Sequence, residues 1–212
     1  MLHIGNNMNW ITFRDQLVGL GCFSIHQVYA WQPAFDRNNL SRWVSKGYLV
    51  RLRQGLYAFP DYLGNPDMAA FFAGQIYKPS YISLHSALSF YGLIPESVTQ
   101  ITSVSSRKTA RFSNAFGEYS YKSVRADLMF GYHLRPLVNG HAAAFATREK
   151  ALLDLLYLYS FYNTNQALTD LRLDEDVLHA DFNRSEWDAM VARFHCAALE
   201  KRANLLIKVY DL

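Results

Sequence analysis

An α+β fold is predicted, in which a small N-terminal unit of helices and a hairpin precedes a larger part with helices around a mostly antiparallel sheet. Three observations carry this. Apolar residues recur at helical spacing up to residue 46, the period falls to two across 48–59, and beyond 66 helical runs alternate with strand-like ones. Between them, Pro60 to Pro66 with Asp61, Gly64 and Asn65 carries turn chemistry. The expected domains are therefore 1–60 and 67–212.

In the first part, Trp10 to Leu20 places Phe13, Leu17 and Leu20 on one side of a helix that Gly21 stops. Ser24 caps a second helix, Ile25 to Trp31, and Pro33 supplies the turn after it. Asp36 caps a third, Arg37 to Lys46, which ends at Gly47. Leu40, Trp43 and Val44 recur on its inner face, and Arg37, Asn38, Ser41, Arg42 and Ser45 fall mainly outside. Then Val50-Arg51-Leu52-Arg53, the turn Gln54-Gly55 and Leu56 to Phe59 predict a tight basic hairpin. Helix, helix, turn, helix, hairpin is the order of a winged helix-turn-helix.

The residue types suit a duplex. Arg grips guanine O6 and N7 with two bonds, Asn does the same to adenine N6 and N7, and cations on a hairpin suit the phosphate backbone. Arg37, Asn38, Asn39, Ser41, Arg42, Lys46, Arg51, Arg53 and Gln54 are the expected DNA contacts. If all five cations of this segment met phosphates, log affinity would fall with log salt at a slope of about −4.5, roughly 500-fold between 50 and 200 mM.

Further on, Met68 to Tyr77 predicts a helix ended before Pro79, and Tyr81-Ile82 leads into Ser83 as cap of a helix through Tyr91. Strands are predicted around Ile101 to Ser105, Gly117 to Val124, Leu128 to Leu137 and Ala142 to Ala146, the last two flanking Asn139-Gly140. Thr147 caps a core helix, Arg148 to Tyr159, and residues 165–212 are helical by pattern, with Ser185 and Asp188 as an approximate capping box. Arg107, Lys108 and Arg111 cluster in an expected loop and are candidate contacts to nucleic acid or to a toxin-related partner.

Composition narrows the class. Half the 212 residues are hydrophobic, enough for a buried core, and the net charge of +3 permits nucleic acid without demanding it. Cys22 and Cys196 are far apart and lack metal-ligand spacing, which fits a reducing cytoplasm and no zinc. No run is long enough to span a membrane, and no signal segment is evident. No Gly-rich phosphate loop or other cofactor motif is present.

Catalysis is weighed on Glu149, Lys150, Asp154 and Asp127, the ingredients of a metal-dependent nucleic-acid enzyme. Their spacing argues against it: Glu149 and Lys150 point about 100° apart on a helix, and Lys150 with Asp154 makes an ordinary i, i+4 ion pair. The histidines show no metal spacing, and His85 reads as hydrogen-bonded core. Another alternative is a winged-helix protein adaptor that binds no DNA.

Three blocks in order resemble the AbiEi family, antitoxins and transcriptional regulators of bacterial abortive-infection systems. They are the hairpin Arg53-Gln54-Gly55-Leu56-Tyr57, the run Tyr81 to Leu93 (YISLHSALSFYGL), and Ala146 to Asp154 (ATREKALLD). The basic and aromatic stretch from Arg107 to Tyr119 joins the last two, and the resemblance covers about residues 10 to 165. It implies an N-terminal domain that represses its own operon by binding inverted repeats in double-stranded DNA. It also implies a C-terminal domain giving antitoxin activity against a nucleotidyltransferase-like toxin, in type IV systems where the two need not touch.

Overall fold

The computed structural model describes residues 8–96 and 98–212, and these form a mixed α+β structure; residues 1–7 of the first expected domain lie outside the described residues. α1 (Trp10–Leu17) gives way to a 3-10 turn at Val18–Leu20, shorter than the periodicity predicts, and Leu20 is exposed rather than packed. β1 (Cys22–Ser24) follows, then α2 (Ile25–Trp31), opened by a reciprocal Ser24–Gln27 capping box. α3 (Asn38–Ser45), β2 (Val50–Arg53) and β3 (Leu56–Ala58) come next, and β3 pairs antiparallel with both β1 and β2. Phe13, Phe23, Trp43 and Phe59 fill the core of this part.

α4 (Pro66–Ile76) starts on Asn65, whose side chain accepts from the Asp67 and Met68 N–H groups. Then come β4 (Ser80–Ile82), α5 (Leu84–Phe90), β5 (Gln100–Ser105), β6 (Ala110–Asn114), β7 (Gly117–Ser123), β8 (Tyr132–Pro136) and β9 (Ala142–Ala146). α6 (Arg148–Leu158), α7 (Asn165–Thr169), α8 (Glu175–Asp181), α9 (Arg184–Phe194) and α10 (Ala197–Tyr210) complete the chain. The six-stranded sheet has the order β6-β7-β5-β4-β9-β8. Its β6/β7, β5/β4 and β8/β9 pairings are antiparallel, and β7/β5 and β4/β9 are parallel. β4 and β6 occupy segments expected as a helix lead-in and a loop. Both are short, and β6 has only Phe112 as a large apolar residue.

Helices cover both faces. Ile82, Tyr119, Tyr121 and Phe145 pack with α4 and with Cys22, Leu52 and Ala58, so one apolar cluster reaches across the turn-rich stretch at 60–66. Asn114 Nδ2 also donates to the Leu52 carbonyl at 3.1 Å. On the other face, Val104 and Val124 lie under α5 and α6, which are covered in turn by Leu168, Trp187, Phe194 and Leu206. The last helices therefore complete this core. Asn183 caps α9, accepting from the Glu186 N–H; Ser185 and Asp188 do not form the expected box, because Asp188 accepts from the Arg184 guanidinium instead. Among the described residues, no helix is long and apolar enough to cross a membrane.

The two thiols should behave differently. Cys22 is buried, and burial pushes its thiol up to about 12, whereas Cys196 is half-buried. A thiol reagent at pH 8 should titrate Cys196 in the native protein and Cys22 only on unfolding; two equally fast thiols would contradict the packing around β1. Since the folded pKa of Cys22 is raised from 9.0, its contribution to stability is complete below about pH 9 and is lost as pH rises toward about 12.

Candidate nucleic-acid interface

The outer side of α3 and the hairpin of β2 and β3 make one basic surface. Asp36 starts the helix, its Oδ1 accepting from the Asn38 N–H at 2.9 Å. Leu40 and Trp43 hold the inner side, with Trp43 ring centroids 5.0 Å from Trp10 and 4.5 Å from Phe13. The far end closes with Tyr48 N–H to the Trp43 carbonyl and Gly47 N–H to the Val44 carbonyl. That closure needs a left-handed residue, and Gly47 supplies it at φ 72°. The chain then enters β2 directly. Gly55, at φ 78°, makes the hairpin turn and leaves Gln54 at its tip.

Arg37, Asn38, Ser41, Arg42 and Lys46 are exposed on or beside α3, as are Arg51, Arg53 and Gln54 on the hairpin. Arg37 and Ser41 from the helix meet Arg51 and Gln54 from the hairpin around a cleft of about 340 Å³ whose apolar wall is Ile25, Leu40 and Tyr57. The Arg51 guanidinium lies 5.9 Å from the centroid of the Tyr57 ring on the neighbouring strand. Asn38, Arg42, Lys46 and Arg53 stand outside that cleft.

Asn39 corrects the expected set of DNA contacts. It is only 3 % exposed, because position 39 shares the inner face with Leu40 and Trp43. Its Oδ1 accepts from Arg42 Nη2, so Asn39 braces an arginine instead of reaching outward. Residue type alone placed the asparagine among the contacts, whereas its spacing of four from Trp43 puts it on the inner face.

The cations of this surface have no acidic partners among the described residues. Among the described residues Arg37, Arg42, Lys46, Arg51 and Arg53 form no ion pair, whereas Arg14, Arg125, Arg148, Arg172 and Arg184 each meet an aspartate or glutamate. Unneutralised cations on one side of a small unit produce a local positive potential that the total charge of +3 conceals.

The other candidate cations do not form one loop cluster. Arg107 stacks on Tyr77, 4.9 Å from the ring centroid, and donates to the Lys78 carbonyl at 3.3 Å. The Tyr77 hydroxyl donates to the Lys108 carbonyl at 2.8 Å. Arg111 sits on β6, opposite Ser120 of β7. A strand, not a loop, holds it.

The carboxylates weighed for catalysis are dispersed. Glu149 is buried and accepts from the Asn183 N–H at 3.0 Å, while exposed Asp127 pairs with Arg125. Lys150 and Asp154 are an i, i+4 pair, but they are fully buried rather than on a wet helix face. Asp154 also accepts from Tyr81 at 2.9 Å and Ser83 at 2.8 Å, and Lys150 donates to the Tyr81 oxygen at 2.8 Å. Ser83 therefore spends its hydroxyl on Asp154 and makes no side-chain cap for α5, against expectation. Burial is the largest influence on both ions, raising the Asp154 pKa and lowering that of Lys150, and their mutual attraction opposes both shifts. His85 is half-buried beside an open cleft, and burial lowers its pKa. Among the described residues, no group of three His, Cys, Asp or Glu side chains is arranged to hold a metal ion.

No protein-family model matches the chain, and no curated protein does.

Proposed function

We propose that the N-terminal unit is a winged helix-turn-helix, that α3 lies in the major groove of double-stranded DNA, and that the hairpin rests on the backbone beside it. The observation that carries this reading is the convergence of Arg37 and Ser41 with Arg51 and Gln54 around one cleft, within a surface whose cations have no acidic partners. Position and charge agree. A helix that presents Arg and Asn outward can read base edges, and a basic hairpin set beside it can fix register on phosphates.

In this proposal residues 1–60 form the DNA-binding module and residues 67–212 an effector domain. The chain is then a transcriptional regulator of its own operon and the antitoxin of a type IV, AbiE-like system, acting in the cytoplasm against a nucleotidyltransferase-like toxin. The support for that finer identity is the three sequence blocks, of which the first forms the hairpin and the third opens α6. The structure adds a reason for two of them to share one pattern: Tyr81 and Ser83 of the second block bind Asp154 of the third.

Arg42 tests the reading. Braced by Asn39 and exposed at mid-helix, it should contact a base, so Arg42→Ala should reduce binding to the cognate site by about 1 to 3 kcal/mol while leaving affinity for random DNA nearly unchanged. Competition titrations with the two DNAs measure this. Equal losses on both would make Arg42 a phosphate contact and remove it from the reading helix.

A further inference from the structure

A second polar cleft, of about 500 Å³, opens at the β6 and β7 end of the large sheet, on the face otherwise covered by α5 and α6. Register explains its make-up. Arg111 pairs with Ser120, and Lys122 follows two residues later, so all three side chains stand on one face where the helical layer stops. His85 of α5 and the rings of Tyr159 and Tyr162 form the opposite wall. The Lys122 ammonium lies 5.4 Å from the Tyr159 ring centroid, and Tyr162 packs edge-on to Tyr159 at 6.5 Å.

Charge within the cleft is uneven. Its two acids are engaged, Glu96 with Arg172 and Asp170 by accepting from Gln166 Nε2 at 2.7 Å. Arg111 and Lys122 form no ion pair among the described residues, and His85, whose pKa burial lowers, presents an uncharged imidazole at neutral pH. Such a site holds free cations for an anion, rings for a flat group and neutral donors and acceptors between them. Its volume falls within the range of small-molecule sites.

We propose that this cleft binds a nucleoside phosphate, with the phosphate on Arg111 and Lys122 and the base against Tyr159 and Tyr162. Guanidinium and ammonium groups form charge-assisted bonds to phosphate oxygens, and aromatic faces stack on bases of any sequence. The site is separate from the α3 and hairpin surface and does not depend on DNA binding there.

Isothermal titration of the full chain with adenosine 5′-monophosphate, inorganic phosphate and a single-stranded oligoadenylate tests it. Adenosine 5′-monophosphate should bind one per chain, and Arg111→Ala with Lys122→Gln should weaken it by about tenfold or more, since each removes a charged hydrogen bond. Melting temperature and duplex DNA binding of that double variant should match the parent, which separates failure here from failure of the proposed DNA reading. Equal binding of inorganic phosphate, binding of the oligonucleotide without the mononucleotide, no binding at millimolar concentration, or indifference to the double variant would each overturn the proposal.

Discussion

Asp154→Ala should lower the unfolding free energy by about 3 to 5 kcal/mol, the range for breaking one partner out of a buried ion pair. The variant leaves the Lys150 ammonium fully enclosed, 4.9 Å from the ring centroids of Phe130 and Phe194, with only the Tyr81 oxygen to accept from it. It also strips Tyr81 and Ser83 of their acceptor. The loss belongs to the orphaned groups more than to the pair. Replacing both ions, Lys150→Met with Asp154→Leu, removes the orphaned ammonium but leaves the Tyr81 and Ser83 hydroxyls without their acceptor, so it should recover only part of the stability. Urea unfolding of the two variants checks this. A change below about 0.5 kcal/mol in Asp154→Ala, the size usual for exposed positions, would contradict the buried network.

That network shows where sequence reasoning stopped. The i, i+4 spacing of Lys150 and Asp154 was legible, because it depends on one helix alone. Their burial was not, since Tyr81 and Ser83 lie 73 and 71 residues away from Asp154 and reach it only through the pairing of β4 with β9. The same limit hid β1 and β6, whose places depend on partners: β1 follows β3 and β6 follows β7. In the N-terminal unit, β1 aside, the helices and the hairpin rest on local signals. Ser24, Asp36, Gly47 and Gly55 each act through their own neighbours, and α2, α3 and the hairpin lie within a residue of the expected bounds, whereas α1 ends three residues early. Asn39 was misplaced because its residue type was followed and not its spacing of four from Trp43, which sets it on the inner face.

Arg51→Ala with Arg53→Ala should flatten the salt dependence of DNA binding. With Arg42 on a base and the other four cations on phosphates the slope is about −3.6, and loss of two brings it to about −1.8. Between 50 and 200 mM salt, the parent should lose roughly 150-fold in affinity and the double variant roughly 12-fold. Both side chains are exposed and form no ion pair among the described residues, so stability should stay within about 0.5 kcal/mol of the parent. Binding isotherms at several salt concentrations give the slopes. An unchanged slope would mean that the hairpin does not lie on the backbone.

We propose above all that this chain reads duplex DNA through α3 and its hairpin. A gel-shift titration of the purified protein against its own upstream DNA and a scrambled duplex, at 50 and 200 mM salt, tests it most directly. Tighter binding to the upstream DNA, with a steep loss with salt on both duplexes, is the expected result. Equal affinity for the two duplexes, or no shift at the lower salt, would contradict it and leave the same surface for a protein partner.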